Sequence, residues 1–139
     1  MAWVFDASIA MAWCFEDEKT AETDALLDRL EQDHAIVPQL WYLEVANVLT
    51  MAMRKRTGAR ITEPQRAQFL GMLAAAPIRV DLEAHVHAWG TILALADKHR
   101  LSTYDAAYLE LAMRLGAPLA TLDAELAAAA KNVGVAVLP

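Results

Sequence analysis

Apolar and polar residues alternate along the chain in blocks whose lengths separate strands from helices. Short, mostly apolar runs predict buried strands at residues 3–5, 35–37, 78–80, 119–121 and 135–137. Longer segments with helical spacing of apolar residues predict helices at 9–15, 20–32, 40–56, 62–75, 83–99, 102–115 and 123–130. Strands that alternate with helices and are apolar throughout are typical of a parallel α/β sheet covered on both faces.

Several helix ends carry local signals. Thr62 and Gln65 have the spacing of a capping box, Ser102 is placed to cap the helix that follows it, and Gly116 marks that helix's end. Thr20 is the better cap for the second helix, ahead of Thr23. These signals predict where the chain turns between layers.

The segment 40–53 is apolar apart from Glu44, Asn47 and Thr50, which are spaced by three and fall on one strip of a helix. A helix that is apolar nearly all round is expected to be buried. Glu44 then needs a cation, a hydrogen-bond network or a cavity, because a buried carboxylate is unfavourable alone. In the helix at 83–99, the inward positions are predicted to be the following: Val86, Trp89, Ile92, Leu93, Leu95 and Ala96.

Four acids fall where such a fold binds ligands. Asp6 and Asp123 directly follow predicted strands, while Asp105 and Glu44 lie in the first one or two turns of helices. Ligands of open α/β sheets sit beyond the carboxyl ends of strands, so all four are expected at one edge. Gathered carboxylates raise one another's pKa, and a cluster of this kind is stable at neutral pH mainly with bound cations.

Each acid also has a local explanation. Asp6 could cap the first helix, although Ser8 is better placed to do so; Asp123 could cap the last. Asp105 could be the acidic partner of Ser102 in a capping box. These explanations remain open, but four independent caps would have no reason to converge on one edge.

Composition limits the alternatives. Of 139 residues, 57% are hydrophobic and 22% charged, which is globular and long enough for one domain spanning 1–139. The single Cys14 excludes an internal disulfide and favours a reducing cytoplasm, and no signal peptide or membrane span is predicted. A net charge of −6 disfavours general nucleic-acid binding. The local basic cluster Arg54, Lys55 and Arg56 is either a solvated helix end or a contact for RNA phosphates.

Four motifs together resemble the PIN domain, and more closely the toxin subunits of VapBC-type toxin–antitoxin modules. They are VFDAS at 4–8, EVANVL at 44–49, LSTYDAAY at 101–108 and LATLD at 119–123. The resemblance covers essentially the whole chain. It implies a Rossmann-like, three-layer α/β/α fold with a five-stranded parallel sheet ordered 3-2-1-4-5.

The resemblance also implies a Mg²⁺- or Mn²⁺-dependent endoribonuclease in the cytoplasm. Asp6, Glu44, Asp105 and Asp123 would be the catalytic and metal-binding acids, and Glu125 is longer than the aspartate that some relatives carry there. The supporting polar residues would be Ser8, Asn47, Ser102 and Thr103. Partners implied are RNA, an inhibitory antitoxin and a second copy in a homodimer. The alternative is a dimeric interaction module whose acidic groove binds a basic peptide without cutting RNA.

Overall fold

The computed structural model describes residues 1–54, 58 and 60–139, and the strands in these ranges form one sheet. The strands are β1 (Trp3–Phe5), β2 (Ala35–Pro38), β3 (Ile78–Asp81), β4 (Leu119–Ala120) and β5 (Val137–Leu138). They pair in the order β3-β2-β1-β4-β5, and every neighbouring pair is parallel. The predicted strand order is confirmed, although β5 begins two residues later than the predicted run at 135–137.

Helices connect the strands and pack on both faces, which confirms the three-layer α/β/α architecture. They are α1 (Ala7–Cys14), α2 (Ala21–Arg29), α3 (Leu40–Met53), α4 (Glu63–Ala75), α5 (Ala84–His87), α6 (Leu93–His99), α7 (Thr103–Leu115) and α8 (Ala124–Asn132). A 3₁₀ turn spans Glu16–Glu18, and a π-helical turn spans Ala88–Ile92. The predicted end of α3 at 55–56 lies outside the described residues. None of the described helices is both long and apolar enough to cross a membrane.

The cap signals at the start of α4 and the end of α7 act as predicted. The Thr62 side chain accepts the Gln65 N–H while the Gln65 side chain accepts the Thr62 N–H, which completes the capping box. Gly116 ends α7 in the left-handed region, with φ of 60°. A side chain in that backbone conformation would be strained, so glycine suits the position.

The central strand β1 is the centre of the core, because all three of its residues are fully buried. The ring of Phe5 lies 5.2 Å from that of Trp13 in α1 and 5.3 Å from that of Trp41 in α3. Helix α7 lies against β1, β2 and β4. The elements that carry the predicted acids are therefore packed around one strand.

Helix α3 is not buried all round, so that prediction is wrong. Leu43 and Met51 are 76% and 54% exposed, whereas Trp41, Val45 and Leu49 are buried. The apolar residues of α3 thus form two faces, one against the core and one open to solvent. Apolar composition alone did not distinguish them.

Of the six inward positions predicted for the helix at 83–99, three are correct and three are wrong. Ile92, Leu95 and Ala96 are buried. The other three, Val86, Trp89 and Leu93, are exposed, and Trp89 is 94% exposed. The π-helical turn contains Trp89 and accommodates one residue more than an α-helical turn, so Val86, which precedes it, is shifted by about 100° around the axis.

Candidate active site

The site lies where the order of the parallel strands reverses, between β1 and its neighbour β4. Asp6 directly follows β1, and its N–H donates to the carbonyl of Ala120 at the end of β4 over 3.2 Å. Connections leave the two strands in opposite directions at such a point, which opens a crevice at their carboxyl ends. Residues that follow β1 and β4 therefore meet in one place.

The Asp6 carboxylate is held at both oxygens by hydroxyl groups. Its Oδ1 accepts the Ser8 hydroxyl at 2.5 Å and the Ser8 N–H at 3.0 Å, while its Oδ2 accepts the Thr121 hydroxyl at 2.5 Å. Each hydroxyl oxygen in turn accepts a backbone N–H, from Leu122 to Ser8 at 2.9 Å and from Asp123 to Thr121 at 3.0 Å. Because an ionised carboxylate can only accept, each hydroxyl donates its proton to Asp6 while its oxygen accepts the backbone N–H.

Asp6 also caps helix α1, so the expectation that Ser8 would be the cap is wrong. Asp6 has an extended backbone, and its carboxylate accepts the Ser8 N–H in the first turn of the helix. Burial raises the pKa of Asp6, and the hydrogen bonds from Ser8, Thr121 and Ile9 lower it in opposition. The capping and site explanations for Asp6 therefore hold together.

Glu44 projects from the second turn of α3 and is half-buried. Its Oε1 accepts the hydroxyl of Tyr108, a residue of α7 whose side chain is fully buried. Burial raises the pKa of Glu44, the Tyr108 bond lowers it, and the nearby charges of Asp105 and Asp6 raise it further. The pKa of Tyr108 is raised, first by burial and then by its bond to Glu44.

Asp105 lies in the first turn of α7, where Ser102 caps the helix by accepting the Asp105 N–H at 3.1 Å. Within the described part of the chain only this half of the expected capping box is formed. The pKa of Asp105 is raised by burial and then by the charges of Asp123, Asp6 and Glu125, while Ser102 lowers it. Glu125 therefore lies within electrostatic range of the site.

Asp123 caps helix α8, because its Oδ1 accepts the Leu126 N–H at 2.9 Å. The residue is exposed, and its own N–H is bound by Thr121. Its local role as a cap is thus realised, and its charge still acts on Asp105. The cap keeps the carboxylate at the edge of the crevice.

The four predicted acids share one region but are not gathered around one point. Their charges act on one another, yet among residues 1–54, 58 and 60–139 no three acidic, histidine or cysteine side chains form a group that could hold a metal ion. No described Lys, Arg or His forms an ion pair with any of the four. Among the described residues the acids are therefore close to one another, without a cationic partner and not in a ready-made coordination geometry.

The other residues predicted to support the site or to contact RNA do not bind the four acids in the described structure. Asn47 is exposed on α3 and borders a surface cavity with Arg54, at the end of that helix. Thr103 opens α7 and is exposed. In the described parts of the chain no hydrogen bond joins Asn47 or Thr103 to the four acids. Lys55 and Arg56 lie outside the described residues.

Two residues of the site were not singled out from the sequence. Thr121 carried a signal, since it is a hydroxyl residue two positions before Asp123. Tyr108 stands three residues after Asp105 within the same motif, but its bond to Glu44 joins residues 64 apart. Only the packing of α7 near α3 brings that pair together.

The chain is similar to known proteins in both sequence and fold. A sequence model of the PIN domain matches residues 3–132. Ribonuclease VapC3 from Pyrobaculum aerophilum is 29% identical over 127 residues, which cover 91% of this chain and 93% of that protein. Among solved structures, PAE2754 from Pyrobaculum aerophilum has a TM-score of 0.68 and 22% identity, covering 99% of this chain and 83% of that one.

A second solved structure is VapBC2 from Rickettsia felis, bound to a DNA fragment from their promoter. It has a TM-score of 0.67 and 11% identity, and the alignment covers 99% of this chain and 97% of that one. At this identity the likeness concerns the fold. Taken with the match over residues 3–132 and the order of the parallel sheet, this chain belongs to the PIN-domain family.

Proposed function

We propose that this protein is a Mg²⁺- or Mn²⁺-dependent endoribonuclease that cleaves RNA phosphodiester bonds as the toxin of a toxin–antitoxin pair. The observation that carries the proposal is the buried Asp6 carboxylate, fixed by two hydroxyls beside Glu44 and Asp105. Similarity to a protein named Ribonuclease VapC3 supports the reaction class. Uncompensated carboxylates that face a crevice are candidates for function rather than for stability.

The oxygen donors of the site fit a hard divalent cation. Asp6 Oδ2 accepts one hydrogen bond and Glu44 Oε1 accepts one, so Asp6 Oδ2 and Glu44 Oε2 retain lone pairs. Carboxylates are the ligands that Mg²⁺ and Mn²⁺ prefer, and Mg²⁺ keeps several waters. Asp6, Glu44 and Asp105 would hold the ion, with Asp123 at a second ion or acting through water. Side-chain rotation is required, because the described acids are not grouped around one point.

Such an ion supplies neutralisation of charge at the phosphate oxygens and a lower pKa for the attacking water. The residues of the chain do the positioning. Ser8 and Thr121 fix the plane of the Asp6 carboxylate, and Ser102 fixes the first turn of α7 that carries Asp105. Asn47 and Thr103 are proposed to support the site from exposed positions.

RNA contact is proposed for the basic end of α3. Arg54 is exposed there, ten residues after Glu44 in the chain, and borders the same surface cavity as Asn47. Lys55 and Arg56 follow it in sequence. Positive charge beside an acidic site attracts the phosphates that the acids alone would repel.

The experiment that tests the proposal compares three reactions of the pure protein with RNA. Wild-type protein with Mg²⁺ or Mn²⁺ is expected to cleave, whereas wild-type protein with a chelator and the Asp6→Asn variant with metal are not. Asn keeps the shape of Asp6 but loses its charge. Equal cleavage in all three reactions would contradict the proposal, and mapping the cleaved ends identifies the RNA.

An antitoxin is the proposed protein partner. The neighbour from Rickettsia felis was solved as VapBC2 with promoter DNA. The acidic crevice of this chain would receive a basic segment of such a partner, because its carboxylates have no described cationic neighbour. Equimolar antitoxin is expected to abolish RNA cleavage. Full cleavage in a complex that survives gel filtration would contradict this part of the proposal.

A second copy of the chain is the other proposed partner. Leu43 on α3, Val86 on α5 and Trp89 in the π-helical turn are 76%, 65% and 94% exposed. Exposed apolar groups of this size favour burial at an interface. Sedimentation is expected to give a dimer for the wild type and for Leu70→Ser on α4, but a monomer for Trp89→Ser. A monomeric wild type would contradict dimerisation.

One observation favours a second candidate function, a non-catalytic dimeric module whose acidic groove binds a basic peptide. It is the lack of a ready-made metal group among the described side chains. Divalent metal distinguishes the two functions. Mn²⁺ should raise the melting temperature of a metal-binding nuclease, and a chelator should reverse the rise. A melt that is identical with and without Mn²⁺ would favour the interaction module.

A further inference from the structure

Tyr108 is a core residue whose single polar side-chain atom serves the candidate site. Its side chain is fully buried in α7, and its hydroxyl donates to Glu44 Oε1 in α3. It follows Asp105 by three residues, so one turn of α7 carries both an acid of the site and the contact that holds another. The described structure gives Glu44 no other side-chain hydrogen bond.

A purely structural reading does not account for this contact. A buried phenol needs an acceptor, and a neutral backbone carbonyl would satisfy it without a charge. The acceptor here is a half-buried carboxylate that is repelled by Asp105 and Asp6. A phenylalanine would fill the same space and remove the need for any acceptor. Packing alone therefore does not require the hydroxyl, whose described side-chain contact is with Glu44.

The hydrogen bond divides the two oxygens of Glu44 between two tasks. Oε1 accepts the Tyr108 hydroxyl, which leaves Oε2 for a cation. Glutamate has one more rotatable bond than aspartate, so an unanchored Glu44 would sample many orientations in the crevice. Anchoring one oxygen restricts the other to a small region before any ligand arrives.

We infer that Tyr108 is a positioning residue, which holds the Glu44 carboxylate by Oε1 in the orientation that the proposed metal site uses. The inference rests on the proposed function, because it concerns the same site. Tyr108 does not touch substrate; it acts through Glu44. Groups that orient metal ligands in this way change metal affinity when they are removed.

The test is Mn²⁺ binding by metal-free Tyr108→Phe, measured by titration calorimetry without RNA. We expect affinity to fall by about tenfold or more, within the range seen when a group that orients a ligand is removed. The matched control is Tyr42→Phe, the same change at an exposed position of α3 close to Glu44 in sequence. The control should bind Mn²⁺ as the wild type does. Thermal melts without metal should show that both variants fold.

A double-mutant cycle separates positioning from a general structural effect. In a Glu44→Gln background, Tyr108→Phe should cause little further loss of Mn²⁺ affinity, because the anchored carboxylate is already gone. An equal loss in both backgrounds, or a Tyr108→Phe variant that does not fold, would overturn the inference by assigning the hydroxyl to the fold.

The controls also distinguish this inference from the function on which it rests. If the wild type binds Mn²⁺, Glu44→Gln weakens binding and Tyr108→Phe does not, then only the positioning role is wrong. If the wild type binds no Mn²⁺, the proposed metal site fails and the inference fails with it. Weaker binding by Tyr108→Phe alone among the tyrosine variants supports both.

Discussion

Each end of helix α7 lies near a group of carboxylates. An arginine pairs with the group at one end, whereas the group at the other end has no described cationic partner. At the C-terminal end, Arg114 binds Asp81 through two bonds of 2.9 Å and Glu110 at 2.9 Å. At the N-terminal end, Asp105 lies near Asp6 and other acids without a described cationic partner. The same helix therefore holds a neutralised cluster and an uncompensated one.

The pKa values record this difference. Arg114 lowers the pKa of Asp81, whereas burial and like charges raise the pKa of Asp105. An internal cation makes the first cluster part of the fold, joining the edge strand β3 to α7. The second cluster has no such cation among the described residues, and we expect it to be compensated by an external cation. We therefore expect charge pairing, more than the presence of acids, to distinguish the structural cluster from the candidate functional one.

The largest effect is expected from removing the cation of the neutralised cluster. Arg114→Met keeps much of the apolar stem but leaves Asp81 and Glu110, whose side chains are 8% and 4% exposed, without their partner. Breaking a buried pair from one side costs about 3–5 kcal/mol. Urea denaturation should measure this loss in the free energy of unfolding.

Arg79→Met is the matched control for that change, since Arg79 is exposed on β3. Its effect on unfolding should stay within about 0.5 kcal/mol. RNA cleavage per folded molecule should be unchanged in both variants, because neither arginine lies in the candidate site. If Arg114→Met were as stable as the wild type, Arg114 would not be holding the acids at the C-terminal end of α7 as part of the fold.

For the uncompensated cluster we predict the opposite result: stability should rise and RNA cleavage should be lost. Asp105→Asn removes one of several like charges, so the metal-free protein should melt higher than the wild type. RNA cleavage should fall by about 100-fold or more, because metal ions stabilise charge by several kcal/mol and each 1.36 kcal/mol is tenfold in rate. Asp97→Asn, on the exposed side of α6, should leave cleavage intact.

If Asp105→Asn lost stability but still cleaved RNA, the proposed role of Asp105 in the reaction would be wrong. Asp105 would then be a structural residue of the α7 cap, and its charge would not serve a reaction. The melting curve and the cleavage assay must therefore be read together for this variant.

Much of the site could be predicted because its acids stand at element ends. Asp6 and Asp123 follow strands, and parallel strands bring their carboxyl ends to one edge, so local pattern sufficed. The Tyr108–Glu44 bond could not be predicted, because it depends on how two helices pack. The positions of Val86 and Trp89 were missed because nothing in the apolar spacing marked the π-helical turn.

The hydroxyl bridge offers a smaller test of the uncompensated cluster. Thr121→Val keeps the branched shape but removes the donor to Asp6 Oδ2 and the acceptor of the Asp123 N–H. Leaving such buried groups unpaired costs about 1–3 kcal/mol, measured by urea denaturation. Thr121→Ser keeps the hydroxyl and should lose less. Equal stability of the valine variant and the wild type would mean that the bridge does not hold Asp6.

The smallest predicted effect is in the pH dependence of melting, measured with a chelator. Asp6, Glu44 and Asp105 have raised pKa values, so they bind protons more tightly in the folded protein. Their contribution to stability grows as pH falls from neutral and is complete below the unfolded values of about 4. Asp81 has a lowered pKa, so its contribution is present above about 4 and is lost at lower pH.

The melting temperature should therefore rise as the pH falls from neutral towards about 4, and it should fall at lower pH. Asp105→Asn should reduce the rise, because it removes one of the three acids with a raised pKa and one charge that acts on Glu44, and it should leave the fall unchanged. Saturating Mn²⁺ should also remove the rise, because a bound cation favours the ionised acids that protons would neutralise. If the rise were unchanged both in Asp105→Asn and with saturating Mn²⁺, it would have to come from groups outside the site. The difference between the two ends of α7 would then not be explained by metal binding.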